Sequence, residues 1–86
     1  MNSKLTKAER AHLARVKGLG CSVCPTPGPS EAHHIKQGQT YTCVALCKPC
    51  HDALHGKGDK AMWRIHKMDE IDALSVTIEK LVFGRD

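Results

Sequence analysis

Apolar positions recur at two different periods along this chain, and the change of period marks its parts. Ala8, His12 and Val16, with Ala11 beside them, share one stripe at helical spacing. Thr6-Lys-Ala-Glu9 is a capping box, so a helix starts near Lys7, and Gly18 is its natural stop. Ala32 to Ile35 reads as a short strand, Lys36-Gln-Gly-Gln39 as a turn, and the β-branched stretch Thr40 to Leu46 as a second strand, together a hairpin. Pro49 suits the first turn of a short helix, roughly Pro49 to His55, which Gly56 stops before a Gly56-Lys-Gly58 loop. Asp59 can cap a helix carrying Met62, Trp63 and His66. Asp69 can cap a last one, on which Ile71, Leu74, Ile78 and Leu81 form a stripe that should face the core.

This pattern predicts an α+β domain, and at 86 residues a single one. With one Trp, one Tyr and one Phe, large core side chains are scarce, and a domain of this size often needs a staple. Five cysteines can supply it. Met1 to Lys17 is polar and basic rather than an apolar leader, and no segment is long enough to span a membrane. The expected location is therefore a reducing cytoplasm, where paired cysteines bind metal more often than they oxidise. Lys and Arg number 13 against 9 Asp and Glu, giving +4 with neutral histidine, a balance that suits a polyanion without proving one. The basic residues Lys4, Lys7, Arg10, Arg15 and Lys17 read as a solvated helix face.

The cysteines carry the sharper signal. Cys21 and Cys24, then Cys47 and Cys50, form two C-x-x-C pairs whose spacing fits one tetrahedral Zn(II) held by four thiolates. Four protein ligands leave no place for water, so the site is structural. Cys43 is left over as a small buried apolar residue. His51 and His55 lie four apart and share a helix face. His33 and His34 are adjacent, and neighbours on a strand point to opposite faces. Both can line one site if the strand is distorted; otherwise one binds metal and the other approaches from the flank, free to act as a base near neutral pH.

In combination these segments resemble the HNH, or ββα-metal, nucleases, in which a hairpin and a helix wrap one divalent ion. The first motif is His33-His34. The second is Leu46-Cys47-Lys-Pro-Cys50-His51, followed by His55. Glu31-Ala-His-His-Ile-Lys-Gln-Gly-Gln39, the Leu-Cys-x-x-Cys-His-x-x-x-His-Gly run and the later Trp63 look most like the phage recombination enhancement function nucleases. The resemblance covers roughly residues 10 to 67, with an HNH core at roughly 19–67 inside a 1–86 domain flanked by an N-terminal helix and C-terminal helices.

The resemblance implies a zinc-stapled domain that hydrolyses DNA. It makes His33, His51 and His55 ligands of the catalytic ion and His34 the general base. Thr42 stands where the family carries an Asn that orients that base. Three imidazoles favour Zn, Ni or Co, whereas the family usually turns over with Mg or Mn. Lys36, Lys48, Lys57 and Lys60 surround the motif as candidate phosphate contacts, and nothing resembles a base-reading helix, so little sequence specificity is expected. The partners implied are DNA and, more loosely, recombination or phage proteins in a bacterial host. The alternatives are a non-catalytic zinc module that binds nucleic acid or protein, and a small structural part of a phage assembly.

Overall fold

The computed structural model describes residues 5–57 and 59–84, and the side chains of Lys57, Asp59, Lys60 and Met62 lie outside the description. In chain order it has α1 (Lys7–Lys17), β1 (Glu31–His34), a single 3-10 turn (Thr40–Thr42), β2 (Cys43–Leu46), α2 (Lys48–Lys57), α3 (Asp59–His66) and α4 (Glu70–Phe83). Among the described residues no helix is long and apolar enough to cross a membrane. The fold is thus α+β, as the pattern predicts, with four helices and a two-stranded antiparallel sheet among the described residues.

Local chemistry starts the helices. Thr6 Oγ1 accepts from the Glu9 N–H at 3.0 Å, and Glu9 Oε1 accepts from the Thr6 N–H at 2.8 Å, closing the expected box on α1. Asp69 and Asp72 make the same reciprocal pair on α4, at 2.8 and 3.0 Å. The proline-rich loop folds back on the end of α1. Ser30 donates from its backbone N–H to Lys17 O and from its hydroxyl to Leu19 O, both at 2.7 Å. Gly28 is required in that contact, because a Cβ there would meet Leu19 O at 2.6 Å.

β2 is buried along its whole length, because both of its faces are covered. Val44 and Leu46 join Cys21, Cys47, Cys50, Leu54, Trp63 and Ala73 in one cluster. Cys43 and Ala45 join Val16 and Leu19 in the other. Cys43 is therefore the core residue expected of the unpaired cysteine.

Among the described residues, the outer edge of β2 is closed by one side chain and one backbone N–H rather than by a third strand. Ala45 faces Ala32 in the register, yet its N–H donates to Thr77 Oγ1 at 3.2 Å and its carbonyl accepts from the Ser22 N–H at 2.9 Å. Ala32 and Ala45 are thus a non-hydrogen-bonded pair, and the groups that point outward find partners on α4 and the cysteine turn. Thr77 is fully buried. Its hydroxyl donates to Ala73 O at 3.0 Å, so the proton in its 2.6 Å contact with Ser22 Oγ belongs to Ser22.

Four expectations are corrected. β1 begins and ends one residue earlier than predicted, and the second strand covers only Cys43–Leu46, since Thr40–Thr42 winds into a 3-10 turn after the Lys36–Gln39 turn closes through Gly38 at φ 86°. α2 passes through Gly56 to Lys57, because Gly56 stays in the right-handed region, and a glycine stops a helix only by leaving it. The expected Gly58 part of that loop lies outside the described residues.

The last correction is α4. Its buried residues are Ala73 and Thr77, with Leu74 and Leu81 half-buried, whereas Ile71 and Ile78 are 64% and 44% exposed. The buried Thr77 network sets the rotation of the helix, at the cost of leaving two isoleucines of the stripe in water.

Candidate metal centre

The two C-x-x-C turns come from distant parts of the chain and meet beside β2. Cys21 and Cys24 follow α1, where the Cys21 N–H donates to Thr26 O at 2.9 Å and closes the turn. Cys47 and Cys50 join β2 to α2. All four cysteines are free thiols, and their sulfurs lie within 4.8 Å of one another. Cys24 Sγ is 3.6 Å from Cys47 Sγ and 3.7 Å from Cys50 Sγ. A ZnS4 tetrahedron with bonds of about 2.3 Å has edges of about 3.8 Å, so these sulfurs already sit at metal-site separation.

The electrostatics of the cluster also call for a cation. Burial opposes ionisation of Cys24. Hydrogen bonds from the Thr26 hydroxyl and backbone and from the Cys47 and Cys50 thiols outweigh it, bringing Cys24 down to about 6. Burial pushes Cys47 and Cys50 up, and the neighbouring thiols reinforce this at Cys50. The Cys24 thiolate therefore forms readily, whereas Cys47 and Cys50 resist until a cation compensates their charge. The donor set fits a structural zinc.

A second set converges beside it. His33, His51 and His55 each offer a ring nitrogen within 4.8 Å of the other two. His33 is buried on β1, while His51 is half-buried and His55 exposed on α2. His51 Nε2 and His55 Nε2 stand 3.2 Å apart, close to the edge of about 3.3 Å between imidazole nitrogens sharing one ion at about 2.0–2.1 Å. Glu31 Oε1 lies 2.8 Å from His51 Nδ1, which leaves Nε2 as the nitrogen that ring could offer a metal. The cysteine turn at the start of α2 places the pair, because His51 directly follows Cys50.

The remaining candidates are dispersed. His34 is half-buried at the end of β1 opposite Cys43, outside the converging set, so the two adjacent histidines do separate. The Thr42 hydroxyl turns toward Gln39 O at 3.4 Å. Lys36 is exposed, and Lys48 is paired with Asp52 at 3.3 Å on an open surface, a contact worth little in stability. Lys57 and Lys60 fall among the side chains outside the description.

Sequence reasoning missed the contribution of α4. Glu70 Oε2 meets His33 Nε2 at 2.9 Å, and Lys80 Nζ donates to Cys21 O at 2.8 Å and Gly20 O at 3.2 Å. One helix thus touches both clusters. No local spacing could have revealed this, since the partners lie far apart in the chain. Set beside known proteins, the chain matches no family model, no curated protein and no solved structure. What stands is a small α+β domain with a four-cysteine cluster and a histidine set, both compatible with metal.

Proposed function

We propose that the protein is a metal-dependent endonuclease of the HNH type, which hydrolyses DNA phosphodiester bonds with little sequence specificity. The observation that supports this most is the division of labour at the end of β1. His33 joins His51 and His55 in the converging set, while His34, next in the chain, stays outside it. The four cysteines hold a structural zinc, and the three histidines hold a divalent ion of the Mg, Mn, Co, Ni or Zn kind.

When bound, that ion supplies Lewis-acid charge to the phosphate and to the leaving 3′-oxygen. A ring nitrogen of His34 takes the proton of the attacking water. The water oxygen bonds to phosphorus as the bond to the 3′-oxygen breaks, and the leaving oxygen takes a proton from solvent water, giving 3′-hydroxyl and 5′-phosphate ends. General-base help of this kind is worth roughly 10²- to 10⁴-fold. Lys36 adds positive charge near the phosphates. This reading puts the protein with DNA in the cytoplasm, that of a bacterial host if it is phage-encoded.

Thr42 favours a second reading, a non-catalytic zinc module. It stands where an Asn would orient the base, and its hydroxyl faces Gln39 O instead. Plasmid nicking decides between them. Wild-type protein should nick supercoiled DNA with Mg, Mn, Co or Ni and stop in EDTA, and His34→Ala should lose roughly 10²- to 10⁴-fold while still binding metal. Intact DNA binding with no cleavage under any ion selects the zinc module. Full activity in His34→Ala removes that residue from the mechanism.

A further inference from the structure

The trihistidine set is held by carboxylates from two sides, and one of them comes from the far end of the chain. Glu31 takes one nitrogen of His51 at 2.8 Å. Glu70, the first residue of α4, takes Nε2 of His33 at 2.9 Å across a sequence separation of 37. The His33 side chain is only 11% exposed and that of Glu70 32%, so this pair is partly withdrawn from water. The converging set itself is His33, His51 and His55, with both glutamates outside it.

We infer that Glu70 is a positioning residue of this centre: its carboxylate accepts the His33 Nε2–H, fixes the ring and its tautomer, and leaves the other ring nitrogen for the ion. The inference rests on the reading that the three histidines hold a metal. The physical reason is general. A neutral imidazole carries one N–H and one lone pair, so an acceptor on one nitrogen commits the other to the ligand role and makes it more basic. His33 sits on a strand only four residues long and is the single ligand of the three that α2 does not carry. Without a partner beyond the sheet, its ring could rotate away from the α2 pair.

Glu70 is itself placed by the core. Two turns along the same helix, the buried Thr77 hydroxyl bonds Ala45 on β2 and Ser22 beside Cys21. Lys80 then binds the Cys21 carbonyl. The rotation of α4 that leaves Ile71 in water is the one that turns Glu70 onto His33. Docking of the last helix and assembly of the histidine centre are therefore one event, and the zinc turn is braced by the same helix.

The test is a titration with Ni(II) of zinc-loaded protein, followed by calorimetry and by ligand-field absorption, on wild type, Glu70→Ala, Glu70→Gln and His55→Ala. Glu70→Ala should weaken the second site by roughly 10- to 100-fold and shift its absorption, with zinc content unchanged. Glu70→Gln keeps an acceptor for the His33 N–H and should recover most of that loss, which a role in helix packing alone would not explain. Glu70→Ala binding within about twofold of wild type, while His55→Ala binds poorly, would overturn the positioning role and leave the trihistidine reading standing. Equal losses in the Ala and Gln variants would overturn it also. If His55→Ala binds nickel as wild type does, the trihistidine reading fails, and this inference goes with it.

Discussion

Replacing Thr77 by Val tests the network that fixes α4. The two side chains are nearly equal in volume, so the change removes a hydroxyl and little else, which is why it is not a neutral swap in a core. Three groups lose a partner. The Ala73 carbonyl still has its helical N–H. Ser22, 7% exposed, can turn its hydroxyl toward another acceptor. The Ala45 N–H cannot move, because it belongs to a strand with no exposed surface at that residue. A buried donor left without an acceptor costs about 1–3 kcal/mol. With a smaller loss at Ser22, the total should be about 2–3 kcal/mol. For a domain of this size that is a fall in Tm of roughly 10 to 20 °C.

The assay is denaturant unfolding at fixed excess zinc, since metal bound to the native state adds its own stabilisation. Thr77→Ser is the control. It keeps the hydroxyl and loses one buried methyl, so it should cost only about 1 kcal/mol. Amide exchange at Ala45 should accelerate in Thr77→Val and not in Thr77→Ser. A loss below about 0.5 kcal/mol in Thr77→Val, or equal losses in both variants, would refute the claim that the hydroxyl carries the edge of the sheet.

Further outcomes follow from other parts of the fold. Lys67 ends α3 at φ 55°, with its N–H on Arg64 O and the Met68 N–H on Trp63 O, a Schellman closure that favours glycine. Lys67→Gly should therefore raise stability by about 1 kcal/mol in thermal melts. Cys47→Ser should lower zinc content and unfold most of the domain, as should a strong chelator, because binding free energy at a structural site is folding free energy; near-wild-type circular dichroism in the metal-free protein would count against this. Burial, then the charge of Arg15, holds His12 below its ordinary value of 6.5, and its Nε2 is buried with no partner among the described residues. Its stabilising share is whole above 6.5 and is lost as pH falls through the depressed folded value, so His12→Phe should show a shallower acid limb in stability measured against pH.

The sequence was most informative where a few residues fix their own geometry. The capping box at Thr6 and the cap at Asp69 close within four residues, and the structure forms both, the second also as a reciprocal box with Asp72. C-x-x-C and H-x-x-x-H work the same way, since a tight turn or one helical turn brings the two donors together. The pairs Cys21–Cys24, Cys47–Cys50 and His51–His55 were legible for that reason. The hairpin was legible too, though its ends were not. Thr40–Thr42 has strand-like residues, and the route of the turn overrode them.

The sequence by itself thus determined which side chains could gather metal and in what pairs. Only the tertiary structure decided how α4 lies. Its apolar stripe pointed to Ile71 and Ile78, but a buried hydroxyl with three partners outranked two isoleucines left in water. A hydrophobic face tolerates rotation, whereas hydrogen bonds to a fixed strand edge do not. That rotation put Glu70 on His33 and Lys80 on the cysteine turn, contacts between residues far apart in the chain that no spacing rule encodes.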